Sequence, residues 1–169
     1  MTSRSLPVAL IGPMASGKSR IGRRVAAALD VPFIDTDSVV VAEHGPISGI
    51  FEREGEDFFR VLERAAVAEA LEQAAVVSLG GGAVLDPRTQ EDLRDATVIR
   101  LTISEESVAK RIGGSKRPLL HGDAVEAWAR INTERGPLYE RLAHVSFDTS
   151  TRPISEIAAD IVLWLEERS

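Results

Sequence analysis

Hydrophobic positions fall into short runs separated by longer stretches where they recur every three or four residues. The runs are Val8 to Ile11, Val31 to Ile34, Ala75 to Leu79, Val98 to Leu101 and His144 to Phe147. Runs of this length without strict polar alternation predict strands buried on both faces. After the first run, Ile21, Val25, Ala28 and Leu29 recur at helical spacing. The stretch from Glu56 to Gln73, rich in Ala, Glu and Arg, predicts another helix. Near the end, Ile154, Ile157, Ala158, Ile161, Val162 and Leu165 form one apolar stripe, with Pro153 placed for its first turn. Strands alternating with helices predict an α/β fold: three αβα layers around a central five-stranded parallel sheet, in one domain over residues 1–169.

One segment breaks the rhythm. Ile112 to Asp123 carries glycines, a proline and two adjacent cations with little periodicity, which predicts a mobile loop. It is either a solvated connection or a lid over residues 112–123, hinged on its glycines and delivering the charge of Arg117.

Candidate chemistry begins where the first run stops. Gly12-Pro13-Met14-Ala15-Ser16-Gly17-Lys18-Ser19 fits G-x-x-x-x-G-K-[ST], between a predicted strand and a predicted helix. In that setting, backbone N–H groups and the positive end of the helix face the phosphates of ATP or GTP. Lys18 is placed to reach the β- and γ-oxygens, and Ser19 to hold Mg²⁺. Gly12 and Gly17 allow the tight path, and Ala15 is less permissive than a glycine would be.

In parallel sheets, ligands sit beyond the carboxyl ends of the strands, so the residues following each run matter. Asp35-Thr36-Asp37 follows the second. Two carboxylates one residue apart in a strand would point the same way, one towards Mg²⁺ through water and the other towards an acceptor hydroxyl. The alternative is a polar turn that caps a helix. Gly80-Gly81-Gly82 follows the third run, either as converging backbone donors or as a tight turn. Arg60 stands three residues before Glu63, a spacing that also fits a solvated ion pair. Arg135 is of the type that grips a carboxylate with two parallel bonds.

Composition narrows the classes. The chain has 169 residues and a formal charge of −6, which argues against nonspecific binding to nucleic acid or anionic membranes while allowing a local basic patch. There is no cysteine, hence no disulfide or thiolate metal site, which suits a cytoplasmic protein. No signal peptide or bilayer-spanning run is evident. His44, His121 and His144 are scattered without ligand spacing, and Trp128 and Trp164 fall in helical stretches as expected of packing residues.

Taken together, the GPMASGKS loop, IDTD at 34–37, FRVLE at 59–63, SLGGGAV at 78–84, RPLL at 117–120 and RGPLYERLA at 135–143 resemble, in order, the shikimate kinases. These are small P-loop enzymes of the nucleoside-monophosphate-kinase type. The resemblance runs from about Val8 to Leu165. It implies ATP and shikimate as substrates, Mg²⁺ as cofactor and transfer to the 3-hydroxyl of shikimate. Independently of it, the absence of a long unassigned apolar stripe predicts a monomer, and the composition a cytoplasmic one. It implies an acceptor-binding region at about 35–64. It further implies that Lys18, Asp37 and Arg117 are catalytic. Gly12, Ala15, Ser16, Gly17, Lys18, Ser19, Arg20, Arg111, Arg117 and Pro153 would bind ATP, with Arg111 on the adenine. Asp37, Arg60, Gly80, Gly81, Gly82 and Arg135 would bind shikimate, and Ser19 and Asp35, the latter through water, would serve the metal. Relatives often carry Gly in place of Ala15 and Thr in place of Arg20. The alternatives are another small-metabolite kinase, such as a gluconate kinase, and a non-catalytic nucleotide switch. No N-K-x-D stretch supports the switch.

Overall fold

The structure, a computed structural model, describes residues 5–113 and 118–168, the side chains of 113 and 118–123 excepted. Five parallel strands form one sheet in the order β2-β3-β1-β4-β5. They are β1 (Val8–Ile11), β2 (Phe33–Asp35), β3 (Val76–Ser78), β4 (Thr97–Thr102) and β5 (Val145–Asp148). The helices are α1 (Lys18–Leu29), α2 (Thr36–His44), α3 (Ile47–Glu54), α4 (Glu56–Ala70), α5 (Pro87–Asp92), α6 (Glu105–Gly113), α7 (Pro118–Leu142) and α8 (Ile154–Arg168).

Alternation along β1 divides the core. Val8 and Leu10 face α1 and α8, where Ile21, Val25, Ile157, Ile161 and Leu165 close over them. Ala9 and Ile11 face the other way, towards Val67 and Ala70 of α4 and Tyr139 of α7. Both sets are fully buried, so β1 is apolar throughout, whereas β5 at the sheet edge alternates half-buried and exposed residues. Each completely buried Ile or Leu contributes on the order of 1.5–3 kcal/mol. A separate small core of Val40, Ile50, Phe59 and Ala66 joins α2, α3 and α4 into one wall beside the sheet.

Chain order crosses over at β1. The chain runs from β1 to β2 on one side, while β4 lies on the other. A crevice therefore opens beyond the carboxyl end of β1, where parallel sheets bind ligands.

Three elements differ from expectation. The strand expected at Val31 begins at Phe33, because the Val31 N–H goes to the Ala26 carbonyl at 3.0 Å and Asp30 ends α1 with φ 56°. Asp37 lies in the first turn of α2, not in a strand. The segment Ile112 to Asp123 is not all loop: α6 reaches Gly113, and α7 starts at Pro118 and runs for 25 residues. Gly122, Gly136 and Pro137 inside α7 are helix breakers that conceal it from propensity alone. Proline at the first helical position is a favoured start. Among the described residues, no helix is long and apolar enough to cross a membrane.

Candidate active site

The phosphate-type loop occupies the crevice. Gly12 leaves β1 with φ 143°, and a Cβ there would sit 2.4 Å from the Leu101 carbonyl oxygen, so no side chain fits. Ala15 has φ 69°, a left-handed conformation that costs an alanine about 1–2 kcal/mol. Its methyl packs against the cluster of Ile103, Val108 and Trp128, which holds it there.

Five consecutive carbonyls of this loop each accept a bond from a side chain. Lys18 Nζ donates to Gly12 O at 2.7 Å and to Pro13 O at 2.9 Å. Trp128 Nε1 donates to Met14 O at 2.8 Å. Arg111 donates to Ala15 O and, at 2.8 Å, to Thr149 O. Thr149 Oγ1 donates to Ser16 O at 2.8 Å. With its acceptors engaged in this way, the loop has backbone N–H groups left to meet an anion. Burial lowers the Lys18 ammonium to a pKa of about 8, against the opposing pull of Asp37 and Asp35 and with Arg135 adding to the depression.

Asp35 caps a helix and also faces the phosphate-type loop. One carboxylate oxygen caps α2, accepting from Ser38 N–H at 3.1 Å, and the other accepts from the Ser19 hydroxyl. Asp37 lines the same recess as Lys18, Ser19 and Asp35, although it comes from a helix. Burial raises its pKa, the nearby Asp35 carboxylate adds to that, and Lys18 and Arg60 oppose it.

The triple glycine makes a turn and also makes room. Gly80 O accepts from Ala83 N–H and Gly82 O from Leu85 N–H, which is the turn. A Cβ on Gly80 would lie 2.7 Å from Asp37 Oδ1, and one on Gly82 would lie 2.6 Å from Arg60 Nη1. A Cβ on Gly81 would lie 3.4 Å from Arg135 Nη1, a looser fit. An anionic and two cationic head groups thus converge on one backbone surface that bears no side chains.

Arg60 is not a solvated pair. Its Nη1 donates to Glu63 Oε1 at 2.8 Å, and Glu63 is only 4% exposed. Burial pushes the Glu63 carboxyl up, against the stabilising bond from Arg60. Arg60, Glu63, Asp37, Gly80–Gly82 and Arg135 line a cleft of about 550 Å³ walled by Ile47, Phe51, Phe59 and Trp128. Its charges are therefore gathered at the floor beneath an apolar wall, the usual construction of a small-molecule site.

Arg20 borders the recess lined by Lys18 and Asp35 from an exposed position. Pro153 is exposed and its carbonyl starts α8, accepting from Ile157 N–H at 3.2 Å. Arg111 has its guanidinium engaged by the Ala15 and Thr149 carbonyls. Arg117 lies outside the described residues. A larger depression of about 740 Å³, lined by Arg94, Arg141 and His144, contains none of the expected site residues.

Sequence reasoning missed four contributors. Trp128, expected only to pack, also bonds the loop and walls the cleft. Thr149 anchors Ser16, and buried Tyr139 donates to Gly81 O at 2.5 Å. Glu63 figured only as a partner of Arg60. Tyr139 lies within the RGPLYERLA stretch, but nothing local marks Trp128 or Thr149.

The family model described as shikimate kinase matches residues 14–166. A shikimate kinase from Rhodococcus jostii is 43% identical over 162 residues, covering 94% of this chain and 96% of the relative. One from Mycobacterium avium is 45% identical over 157 residues, covering 90% of this chain and 89% of the relative. A solved shikimate kinase from Acinetobacter baumannii, in complex with shikimate, has a TM-score of 0.86 at 28% identity, covering 98% of this chain and 96% of that one. Matched over nearly its whole length in both sequence and backbone path, the chain belongs to the shikimate kinase family.

Proposed function

We propose that this protein transfers the γ-phosphoryl group of ATP to the 3-hydroxyl of shikimate. Family membership supports ATP as donor and shikimate as acceptor. The observation that carries the assignment of roles is the convergence of Lys18, Asp37, Arg60 and Arg135 around one glycine floor. ATP phosphates occupy the loop, with the β- and γ-oxygens on Lys18 and the loop amides. The acceptor lies in the cleft, its carboxylate held by Arg60 and Arg135 and its hydroxyls by Asp37. Asp37 aims the attacking oxygen and receives its proton. A new O–P bond forms as the bond to the β-phosphate oxygen breaks, and ADP leaves. Catalysis is then positioning and charge neutralisation, with little covalent work for the protein.

The Ser19 hydroxyl and Asp35 carboxylate form a hard oxygen pair suited to Mg²⁺, which binds through few protein ligands plus phosphates and water. Ser19 would ligate it directly and Asp35 through water. Bound there, the ion supplies charge neutralisation to the transferring group.

ADP release measured with a panel of acceptors tests the proposal. Shikimate is expected to stimulate it strongly, and gluconate to do little. Stimulation by gluconate alone would favour the other acceptor. Arg135→Ala and Arg60→Ala are each expected to raise the shikimate KM by about 30-fold or more, since truncating one partner of a buried charge pair costs about 2–5 kcal/mol. Arg135→Ala is the cleaner test, because Arg60→Ala also strands buried Glu63. Normal shikimate binding by both would remove them from the carboxylate site.

Gly82→Ala tests the floor. Its methyl would meet Arg60 at 2.6 Å and has to displace the guanidinium. Acceptor KM is expected to rise with ATP KM unchanged. An unaltered acceptor KM would show that Arg60 need not approach so closely.

A further inference from the structure

We propose that Trp128 is a positioning residue for the phosphate loop: its indole N–H holds the Met14 carbonyl and thereby aims the Ala15 amide at the nucleotide. The inference rests on the reading that ATP phosphates bind in this loop.

Tryptophan has one polar atom, a donor with no acceptor capacity. Here that atom lies 2.8 Å from Met14 O, 114 residues away in the chain. The ring is 8% exposed and packs with Ile103, Val108 and Ala15. A residue needed only for packing would have no use for an N–H at this point. The peptide group is planar and trans, so the Met14 carbonyl and the Ala15 N–H point in opposite directions. Holding the carbonyl against the α7 side therefore turns the N–H to the opposite side. The adjacent backbone needs such a hold, because Ala15 is kept at φ 69° without a glycine to ease it. Arg111 and Thr149 hold the next two carbonyls from α6 and the end of β5, and among the described residues the Met14 carbonyl is held from α7.

W128F keeps an aromatic ring and loses the N–H. Leaving one carbonyl without its donor is expected to weaken nucleotide binding about fivefold, the equivalent of about 1 kcal/mol. In the full-length enzyme the ATP KM should rise by that factor and by more than the shikimate KM, because Phe keeps an aromatic ring in the cleft wall, with the thermal midpoint lowered by only a few degrees. An ATP KM that rises no more than the shikimate KM would overturn the proposal and leave Trp128 a packing residue. A second measurement does not depend on a variant. The chain has two tryptophans, and Trp164 lies on α8 beneath Arg168, serving as internal reference. In ¹⁵N–¹H spectra of the wild type, Mg·ADP should shift the Trp128 indole resonance and leave that of Trp164 in place. A Trp128 resonance that stays still while loop amides shift would equally overturn the proposal. Failure of wild type to bind Mg·ADP at all would instead overturn the functional reading beneath it.

Discussion

Lys18→Met is expected to lower turnover about 10³-fold while leaving the fold nearly as stable. The loss corresponds to about 4 kcal/mol of transition-state stabilisation, in the range of other preorganised charges on transferring groups. Stability should change little because two effects offset. The variant leaves Gly12 O and Pro13 O without their donor, costing about 1 kcal/mol each. It also removes an ammonium that burial penalises. That amine titrates near 8 in the fold against 10.5 in the unfolded chain. The unfolded state therefore binds more protons between these values, so the penalty is complete below pH 8 and is relieved as pH rises towards 10.5. Its size, about 3 kcal/mol at neutral pH, is of the same order as the lost bonds. Urea unfolding and steady-state kinetics on the same samples check both halves. A variant within tenfold of wild-type turnover would contradict the phosphate role.

The same depressed pKa has a kinetic signature. In the free enzyme Lys18 loses its proton near pH 8, so kcat/KM for ATP should fall above that pH. Bound phosphates hold the proton, so kcat should stay level through the same range. Parallel falls in both would point to a different group.

Asp37→Asn is the second large effect expected, about 10²- to 10⁴-fold in kcat with a nearly normal ATP KM. The amide keeps the shape and some hydrogen bonding but takes no proton. Burial and the neighbouring Asp35 raise the Asp37 pKa, which brings its proton affinity nearer to that needed of a base. Activity should therefore fall as pH drops through a value above the ordinary carboxylate range, and that acid limb should vanish in Asp37→Asn. Retention of more than a tenth of the activity, or of the acid limb, would exclude Asp37 as proton acceptor.

How much of the site was legible depended on distance along the chain. The phosphate-type loop was readable because its geometry is local. Gly12, Gly17, Lys18 and Ser19 lie within eight residues, and the flanking apolar patterns stated the strand and the helix. Asp37 was found for a partly mistaken reason. Parallel carboxylates in a strand suggested it, whereas Asp35 ends the strand, caps the helix and leaves Asp37 on the first turn beside Lys18. The glycines were taken for converging donors or a turn. They make the turn, and their missing side chains admit Asp37 and Arg60. That function shows only when the floor and the charges come together. Arg60 and Glu63 read as a pair from their spacing, but their burial depended on the packing of α4 against the neighbouring wall.

Sequence by itself determined the succession of strands along the chain, the first and last helices, the phosphate-type loop and the inventory of charged residues, because those properties follow from neighbours and short periodicities. Tertiary structure alone decided which distant side chains complete the site. Trp128 reaches Met14 across 114 residues, Thr149 reaches Ser16 across 133, and Tyr139 reaches Gly81 across 58. No local propensity encodes such bonds. They exist because the crossover at β1 brings β5, α7 and the glycine turn to the same end of one sheet.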